Sequence, residues 1–436
     1  MLKDSDSCRE DIDEALRQAE LTDDLELLVD AYISQFNYQW DRGRVAHGAA
    51  LSRRALTDLL ARGGVIGVPQ FAGILADSLL SLGRLQEAAV VVRDGLAVGG
   101  QGNGASFLRL VAAQCAVRRG RLPDADQHLA RAYELIPTLE ERPGLGAPPL
   151  LAEVLLARGE ASAALAMITR TLEVQSVDER VVDLMLLWGA RAAADLADHA
   201  RDRRDADGAR RARELLDRLV GVRDGLAGVP FTPMVPDDLA LPALRAVFEA
   251  ESARCGGSEG LAGRWAEVAE LCDRADLGWE AQLARTRQAS CLCDQRAGRA
   301  EIAGPLGEVH RFASQEEAVD LQQRVVGIAR LARVPLVHPE PVTQLLGGPF
   351  GSLTGREREI LGHLVNGLTY AQIARTLFIS EKTVSSHVSN VLRKTGTSSR
   401  HEVAALSLRV ATTDADHLGP KGSAVHTGAH DLPRPP

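Results

Sequence analysis

The sequence predicts an all-α protein in which stacked helical hairpins precede a small four-helix domain. Three observations support this fold class. Aromatic residues make up only 4% of a chain that is 45% hydrophobic, and alanine, leucine and arginine are abundant, which favours helices over strands. A degenerate pattern recurs along most of the chain, and helix-capping pairs cluster near its carboxyl end. The length of 436 residues suffices for two to four domains.

A degenerate repeat extends from about residue 11 to residue 333. In the clearest copies a glycine is followed at plus five by a small residue and at plus nine and plus thirteen by apolar residues. The copies, some of them imperfect, open at Gly43, Gly83, Gly120, Gly159, Asp207, Gly263 and Gly298. We expect the glycine to end one helix and the small residue to let the next helix approach closely. Such hairpins resemble tetratricopeptide-like repeats, which stack into a solenoid.

Composition predicts where the domains begin and end. Residues 1–333 form the predicted helical-repeat region, 334–352 a Pro/Gly linker, 353–410 the small domain and 411–436 a disordered, polar tail. Residues 353–409 hold eight lysines or arginines against four acids, a balance of +4, which leaves −13 for the rest of a chain whose net charge is −9. A basic domain on an acidic body favours nucleic acid as the partner.

Targeting signals and metal-binding patterns do not stand out in the sequence. The first residues lack the apolar stretch of a signal peptide, and no apolar run is long enough for a bilayer, so we expect a cytoplasmic protein without a membrane partner. The six cysteines form no Cys-x-x-Cys pair, which predicts reduced thiols and no metal site.

Capping signals divide the small domain into four helices. Three pairs have the spacing of a capping box: Thr354 with Glu357, Thr369 with Gln372, and Ser399 with Glu402. Ser380 is a further candidate N-cap, and Gly396 fits the left-handed residue that follows that helix. Only residues 378–380 separate the second and third helices, a spacing typical of a helix-turn-helix.

Apolar residues then predict which face of each helix is buried. The stripes are Ile360, Leu361, Leu364 and Val365 on the first helix, Ile373, Ala374 and Leu377 on the second, and Val384, Val388, Val391 and Leu392 on the third. The opposite face of the third helix carries groups that can approach base edges, namely Ser385, Ser386, Ser389, Asn390 and Arg393. The residues beside it that suit phosphate oxygens are Lys382, Thr383 and Lys394.

This segment resembles the LuxR/GerE-type DNA-binding domain. The matching residues are Leu353, Thr354, Arg356, Glu357, Glu359, Leu361, Gly367, Leu368, Ile373, Ala374, Leu377, Ser380, Lys382, Thr383, Val384, His387, Val388, Asn390, Lys394, Arg400 and Glu402. The resemblance implies that the third helix enters the major groove of double-stranded DNA, that Thr369 and Tyr370 join the DNA contacts, and that the fourth helix dimerises through Val403 and Leu406. It also implies contact with RNA polymerase.

The predicted function is sequence-specific DNA binding by a transcription regulator whose repeat region senses a small-molecule or protein effector. The chain looks like the carboxyl-terminal part of a large LuxR-type regulator without its NTPase module. A rival hypothesis is a non-enzymatic interaction scaffold or anti-regulator with a helix-turn-helix that no longer binds DNA. Its basis is the absence of long basic side chains at Ser385, Ser386 and Ser389, where the family commonly has them.

No catalytic residue and no cofactor are predicted. Residues 256–260 match the Gly-x-Ser-x-Gly string of hydrolases, but helical sequence precedes them where that motif needs a strand. None of the lysines follows a phosphate-binding glycine loop, which argues against nucleotide hydrolysis by that route. In the repeat region the tryptophans, which are candidates either for a ligand surface or for packing, are Trp40, Trp188, Trp265 and Trp279.

Overall fold

The computed structural model describes residues 5–139, 146–174, 179–227, 238–258, 260–336, 353–365, 370–377, 379–397 and 402–403. Regular secondary structure in these ranges is helical, without a strand, and the predicted all-α class is confirmed for them. The chain divides into two compact units, Met1–His338 and Pro339–Pro436. The predicted tail and most of the predicted linker lie outside the described residues, so the domain boundaries stay predictions.

The first unit contains sixteen helices in its described part. In chain order they are α1 (Ser5–Glu20), α2 (Leu25–Trp40), α3 (Val45–Ala61), α4 (Val68–Ser81), α5 (Leu85–Val98), α6 (Gly102–Arg118), α7 (Leu122–Leu135), α8 (Ala147–Ala157), α9 (Ala161–Val174), α10 (Glu179–Asp202), α11 (Ala206–Ala227), α12 (Ala240–Gly256), α13 (Leu261–Arg274), α14 (Gly278–Asp294), α15 (Arg299–Gln315) and α16 (Val319–Ala332). None of the described helices is both long and apolar enough to cross a membrane.

The repeat marks helical hairpins, as its glycines predict. Gly43, Gly83, Gly120 and Gly159 each have a positive φ and each lies in the short turn between two paired helices. At Gly83 the three-residue turn is closed by a hydrogen bond from the Arg84 amide to the Leu79 carbonyl at 2.8 Å. This pattern ends a helix at a left-handed residue, a conformation that glycine adopts without steric cost.

The small residue at plus five permits close packing of the second helix of each hairpin. Ala88, Ala125 and Ala164 are completely buried in the main core of the unit. The apolar residues at plus nine are also buried, as Ile168 in α9 illustrates. Stacked helix pairs are therefore confirmed, while their relation to tetratricopeptide repeats stays a prediction.

The later copies of the repeat were placed in the wrong register. Arg204, Asp276, Arg296 and Glu317 occupy the left-handed position that glycine takes in the earlier hairpins. The copy predicted to open at Asp207 is therefore displaced from its turn by three residues, and Gly263 lies inside α13 rather than in a turn. A non-glycine residue can adopt a left-handed turn at a modest cost, so a glycine-based pattern misses such turns.

The even-numbered helices face the interior of the array. They line a cavity of about 270 Å³ between α2 and α14 and another of about 410 Å³ between α6 and α16. The last hairpins return to the earlier ones, since the Gln86 amide in α5 donates to the Glu316 carboxylate at 3.0 Å. The turn after α4 meets the start of α14, where Gly278 lies against the Leu82 backbone. This part of the chain is thus closed upon itself.

Replacing Gly278 with alanine is expected to lower the free energy of unfolding by about 2–3 kcal/mol. An added Cβ would clash with the Leu82 carbonyl oxygen and lie 2.9 Å from its carbonyl carbon, and backbone atoms cannot rotate away. Gly307→Ala in α15 is the matched control, because an added Cβ meets no atom within 4 Å there. Alanine should even favour that helix, by up to about 1 kcal/mol. Urea denaturation of both full-length variants compares them, and equal midpoints would contradict the close approach.

Candidate nucleic-acid interface

Three described helices build the second unit around a tight turn. They are α17 (Gly355–Val365), α18 (Tyr370–Leu377) and α19 (Glu381–Thr395). Only residues 378–380 separate α18 from α19, and the Ile379 amide donates to the Ala374 carbonyl at 3.0 Å to end α18. The predicted helix-turn-helix is therefore confirmed.

Side-chain caps position the helices as the sequence predicts. The Thr354 amide donates to the Glu357 carboxylate at 2.8 Å, and the Glu357 amide donates to the Thr354 hydroxyl at 3.3 Å, which is a reciprocal capping box. The Ser380 hydroxyl accepts from the Thr383 amide at 3.1 Å at the start of α19. Gly396 ends that helix with φ at 69°. The boxes predicted at Thr369 and Ser399 lie outside the described residues.

The apolar stripes meet in two small clusters. The residues of the first are Ile360, Leu364, Ile373, Ala374, Leu377, Val384 and Val388, and those of the second are Leu353, Leu361, Val391 and Val403. Nearly every predicted stripe residue is thus buried, whereas Leu392 is half-buried against both clusters and the side chain of Val365 lies outside the described residues. Because α19 contributes to both clusters, its inward face is fixed and its other face points away from the core.

The outward face of α19 carries the predicted base-contacting residues, all of them exposed: Ser385, Ser386, Ser389, Asn390 and Arg393. Lys382, one turn before Ser386, is exposed as well, and its ammonium makes no ion pair within the described part of the chain. Thr383 is half-buried, with its hydroxyl 2.8 Å from that of Ser380. The helix therefore offers one continuous polar face with cationic groups near both ends.

Two serines on this face use their hydroxyl protons within the helix. The Ser386 hydroxyl donates to the Lys382 carbonyl at 3.0 Å, and the Ser389 hydroxyl donates to the Ser385 carbonyl at 2.9 Å. Each oxygen keeps its acceptor capacity for an outside donor. Because serine side chains are short, a partner can approach the helix backbone closely at these positions.

Lys394 and Arg356 act within the domain in ways that the sequence did not suggest. Lys394 Nζ donates to Glu357 Oε2 at 2.6 Å, which ties the end of α19 to the start of α17. Burial raises the pKa of Glu357, but the hydrogen bonds from Lys394 and Thr354 outweigh it and hold that pKa below its ordinary value. Arg356 donates to the Leu377 carbonyl at 2.9 Å and thereby caps α18.

Of the four remaining predicted site residues, the structure describes Tyr370 and Val403 but not Thr369 and Leu406. Tyr370 is half-buried and packs against the first apolar cluster. Val403 is completely buried inside the domain, so in this structure it has no surface to offer a second copy. Thr369 and Leu406 lie outside the described residues, and their predicted roles in DNA contact and dimerisation stay predictions.

Known proteins match this domain. The family described as "Bacterial regulatory proteins, luxR family" matches residues 351–407. The "Spore germination protein GerE" of Bacillus subtilis is 47% identical over 58 residues, which are 13% of this chain and 78% of that protein. The chain belongs to the luxR family. Its luxR-family domain accounts for the family resemblance predicted above, and an extensive helical region precedes it.

Two further relatives match a smaller share of their own length. The "Probable transcriptional regulatory protein SgaR" of Hyphomicrobium methylovorum is 40% identical over 98 residues, which are 22% of this chain and 46% of that protein. The "DNA-binding transcriptional activator DevR/DosR" of Mycobacterium tuberculosis is 39% identical over 72 residues, 16% of this chain and 33% of that protein. The chain thus spans less than half the length of these two relatives, and its repeat region lies beyond the luxR-family match.

Proposed function

We propose that this protein is a sequence-specific DNA-binding transcription regulator of the bacterial cytoplasm. The observation that supports this most is the exposed polar face of α19, which the caps and two apolar clusters hold away from the core. A helix of this diameter fits the major groove, where hydroxyl, amide and guanidinium groups can meet base edges. The relative DevR/DosR is a DNA-binding transcriptional activator, which supports the same function.

The proposed division of labour follows from side-chain chemistry. Lys382, Thr383 and Lys394, beside this face, are proposed to contact phosphates, which supply most of the affinity. Ser385, Ser386, Ser389, Asn390 and Arg393 are proposed to face the bases. Since serine contacts discriminate weakly, we propose that two copies bind two half-sites together, with Leu406 in the dimer contact. Contact with RNA polymerase and an effector on the repeat unit complete the proposal.

Lys382→Ala is expected to weaken DNA binding on every sequence and to reduce the slope of log affinity against log salt by about 1. The Lys382 ammonium is exposed and unpaired within the described residues, so its loss should leave the thermal midpoint unchanged. Lys394→Ala should weaken binding as well, but it should also lower the thermal midpoint because the Glu357 carboxylate loses its partner. Fluorescence anisotropy of a preferred genomic fragment, with a melting curve of each variant, measures both.

Arg264→Ala supplies the matched control for the lost positive charge. Arg264 is exposed in α13 of the repeat unit, so its removal changes the net charge equally without touching α19. Its salt slope should equal that of the unmodified protein. An unchanged slope for Lys382→Ala would contradict the phosphate assignment.

A scaffold or anti-regulator without DNA binding is the second candidate. Ser386 and Ser389 favour it, because their side chains are short and their hydroxyl protons already bond carbonyls within the helix. Competition binding against a library of genomic fragments separates the two functions. A regulator retains a subset of fragments as competitor rises, whereas a scaffold retains none.

A further inference from the structure

The smaller interior cavity of the repeat unit has the lining of a ligand site. It measures about 270 Å³ and is bounded mostly by even-numbered helices from α2 to α14. Its aromatic residues are Phe36, Trp40, Phe107, Trp188 and Trp279. The polar or charged residues of the lining are Asn37, Gln70, Asp77, Ser81, Gln114, Arg118 and Glu280. A mostly apolar lining that includes some polar groups is typical of sites for small organic molecules.

One acidic side chain in this lining has no partner. Asp77, on α4, makes no hydrogen bond and no ion pair within the described residues. The other charged residues of the lining are committed elsewhere. Arg118 donates twice to Glu153, at 2.8 and 3.0 Å, and once to the Leu80 carbonyl at 2.8 Å, while Glu280 accepts from Arg191 at 2.7 Å. A half-buried carboxylate without a partner is costly.

The larger cavity lacks this feature. It shares Arg118, Trp188 and Trp279 with the smaller one, and its described charged residues form ion pairs with one another. The pairs are Arg118 with Glu153, Arg191 with Glu251, Arg287 with Asp195, and Arg324 with Asp320. Only the smaller cavity therefore presents a charge, negative in sign, that a ligand could neutralise.

The smaller cavity also contains one buried acceptor atom without a hydrogen-bond partner among the described residues. Gln114, which is more than nine-tenths buried, donates through Nε2 to Glu153 at 2.6 Å, so its Oε1 is the acceptor that remains. That oxygen has no hydrogen-bond partner among the described atoms. Acceptors at Asp77 and Gln114 both suit a ligand that donates several hydrogen bonds.

We propose that this cavity binds a small organic cation, an ammonium group on an apolar or aromatic body, with the ammonium on Asp77 and the body among the aromatic rings. The carboxylate supplies the countercharge, and aromatic faces attract cations, as Arg118 over Trp279 and Arg191 over Trp188 show, each 4.6 Å from the ring centre. An anion would face Asp77 without a free cation to hold it. The proposal assigns a chemical class to the effector of the proposed function. Only the expected influence of the ligand on DNA binding rests on that function.

The affinity of this site for an ammonium ligand should depend on pH, because protonation of Asp77 removes the negative charge that the ligand needs. Burial raises the pKa of Asp77 to about 6, with Arg118 from α6 lowering it and Glu153 from α8 raising it. Glu280 from α14 lines the same cavity but is paired with Arg191. An ammonium ligand needs the ionised carboxylate, so its affinity should fall as the pH decreases through about 6.

Three probes with one indole body test the charge preference: tryptamine, a cation, tryptophol, which is neutral, and indole-3-propionate, an anion. Titration calorimetry of the full chain at pH 8 should show tryptamine binding at least about tenfold more tightly than tryptophol, the factor that corresponds to one charged hydrogen bond. Asp77→Asn should remove this preference. Asp94→Asn, which removes a carboxylate from the exposed surface of α5, should retain it.

The unmodified protein gives a test that does not depend on a variant. Tryptamine affinity should drop between pH 8 and pH 5, while tryptophol affinity stays constant. Binding of no probe, equal binding of tryptamine and tryptophol, or tighter binding of the anion would overturn the proposal. DNA affinity of the same preparations is measured separately. Loss of fragment preference with intact tryptamine binding would count against the regulator alone, and the reverse would count against the cavity site alone.

Discussion

Replacing Glu251 with glutamine is expected to lower the free energy of unfolding by about 3–5 kcal/mol, the usual cost of breaking a buried ion pair. The Glu251 carboxylate is 1% exposed and accepts from Arg254 Nε at 2.6 Å and from Arg191 Nε at 3.1 Å. Both guanidinium groups are buried too. Glutamine keeps the size of the side chain but removes the charge, so two buried cations each lose one counterion at once. Arg191 then keeps Glu280, and Arg254 keeps Asp195 and Asp198.

Chemical denaturation of the full chain measures this loss. Glu214→Gln is the matched control, because Glu214 is exposed on α11 and, among the described residues, forms an ion pair with Arg210 alone, at 3.8 Å. Its effect should stay within about 0.5 kcal/mol. Equal stability of the Glu251→Gln and Glu214→Gln variants would contradict the large stabilisation expected from the ion pairs of Glu251.

The pH dependence of the same comparison has a definite sign. Burial raises the pKa of Glu251, but Arg254, Arg287 and Arg191 outweigh it and lower that pKa to about 2. A carboxylate with a lowered pKa stabilises the folded state above its unfolded pKa, near 4.5, and loses this contribution as the pH falls toward about 2. The difference between the unmodified protein and Glu251→Gln should therefore be constant from pH 8 to pH 5 and narrow below it.

Local rules predicted the hairpins where the turn residue is glycine. Gly83, Gly120 and Gly159 could be recognised because the left-handed conformation selects glycine and the next helix selects alanine. The later turns use residues such as Arg204 and Asp276, whose side chains carry no such signal. The return of α14 onto α4 depends on Gly278, which looks like any other glycine in the sequence.

The nucleic-acid interface was predictable to the same extent, by short-range patterns. Caps at Thr354 and Ser380 lie within three residues of their partners, and the period of the apolar residues identified the free face of α19. The ion pair of Lys394 with Glu357 joins residues far apart in the sequence, which is why Lys394 was taken for a phosphate contact alone.

The lining of the smaller cavity in the repeat unit was predictable only in part. Trp40, Trp188 and Trp279 line the cavity and Trp265 does not, while Trp188, Trp265 and Trp279 are all buried in the main core, so the choice between ligand surface and packing stays open. Asp77 was overlooked, although it is the only charged residue between Arg62 and Arg84. An isolated charge in an apolar helix is a signal, but its meaning depends on helices that only the fold brings together.

Ser386→Asp is expected to reduce DNA affinity by about 100-fold, which corresponds to about 2.7 kcal/mol. Ser386 is exposed in the middle of the α19 face, so a carboxylate there would meet phosphates and the electronegative edges of bases without disturbing the core. Fluorescence anisotropy on a preferred genomic fragment measures the loss. Ser386→Ala should change affinity by no more than about threefold, because the hydroxyl proton it removes already bonds the Lys382 carbonyl.

Ser34→Asp is the control variant, because it adds the same negative charge to the repeat unit instead of to the α19 face. Ser34 in α2 is exposed and donates to the carbonyl four residues before it at 2.9 Å, just as Ser386 does, so the two variants disturb their helices alike. If α19 enters the groove, only the Ser386 variant loses affinity. Equal losses would mean that general repulsion from an acidic chain controls binding, and equal retention would place the DNA on another surface.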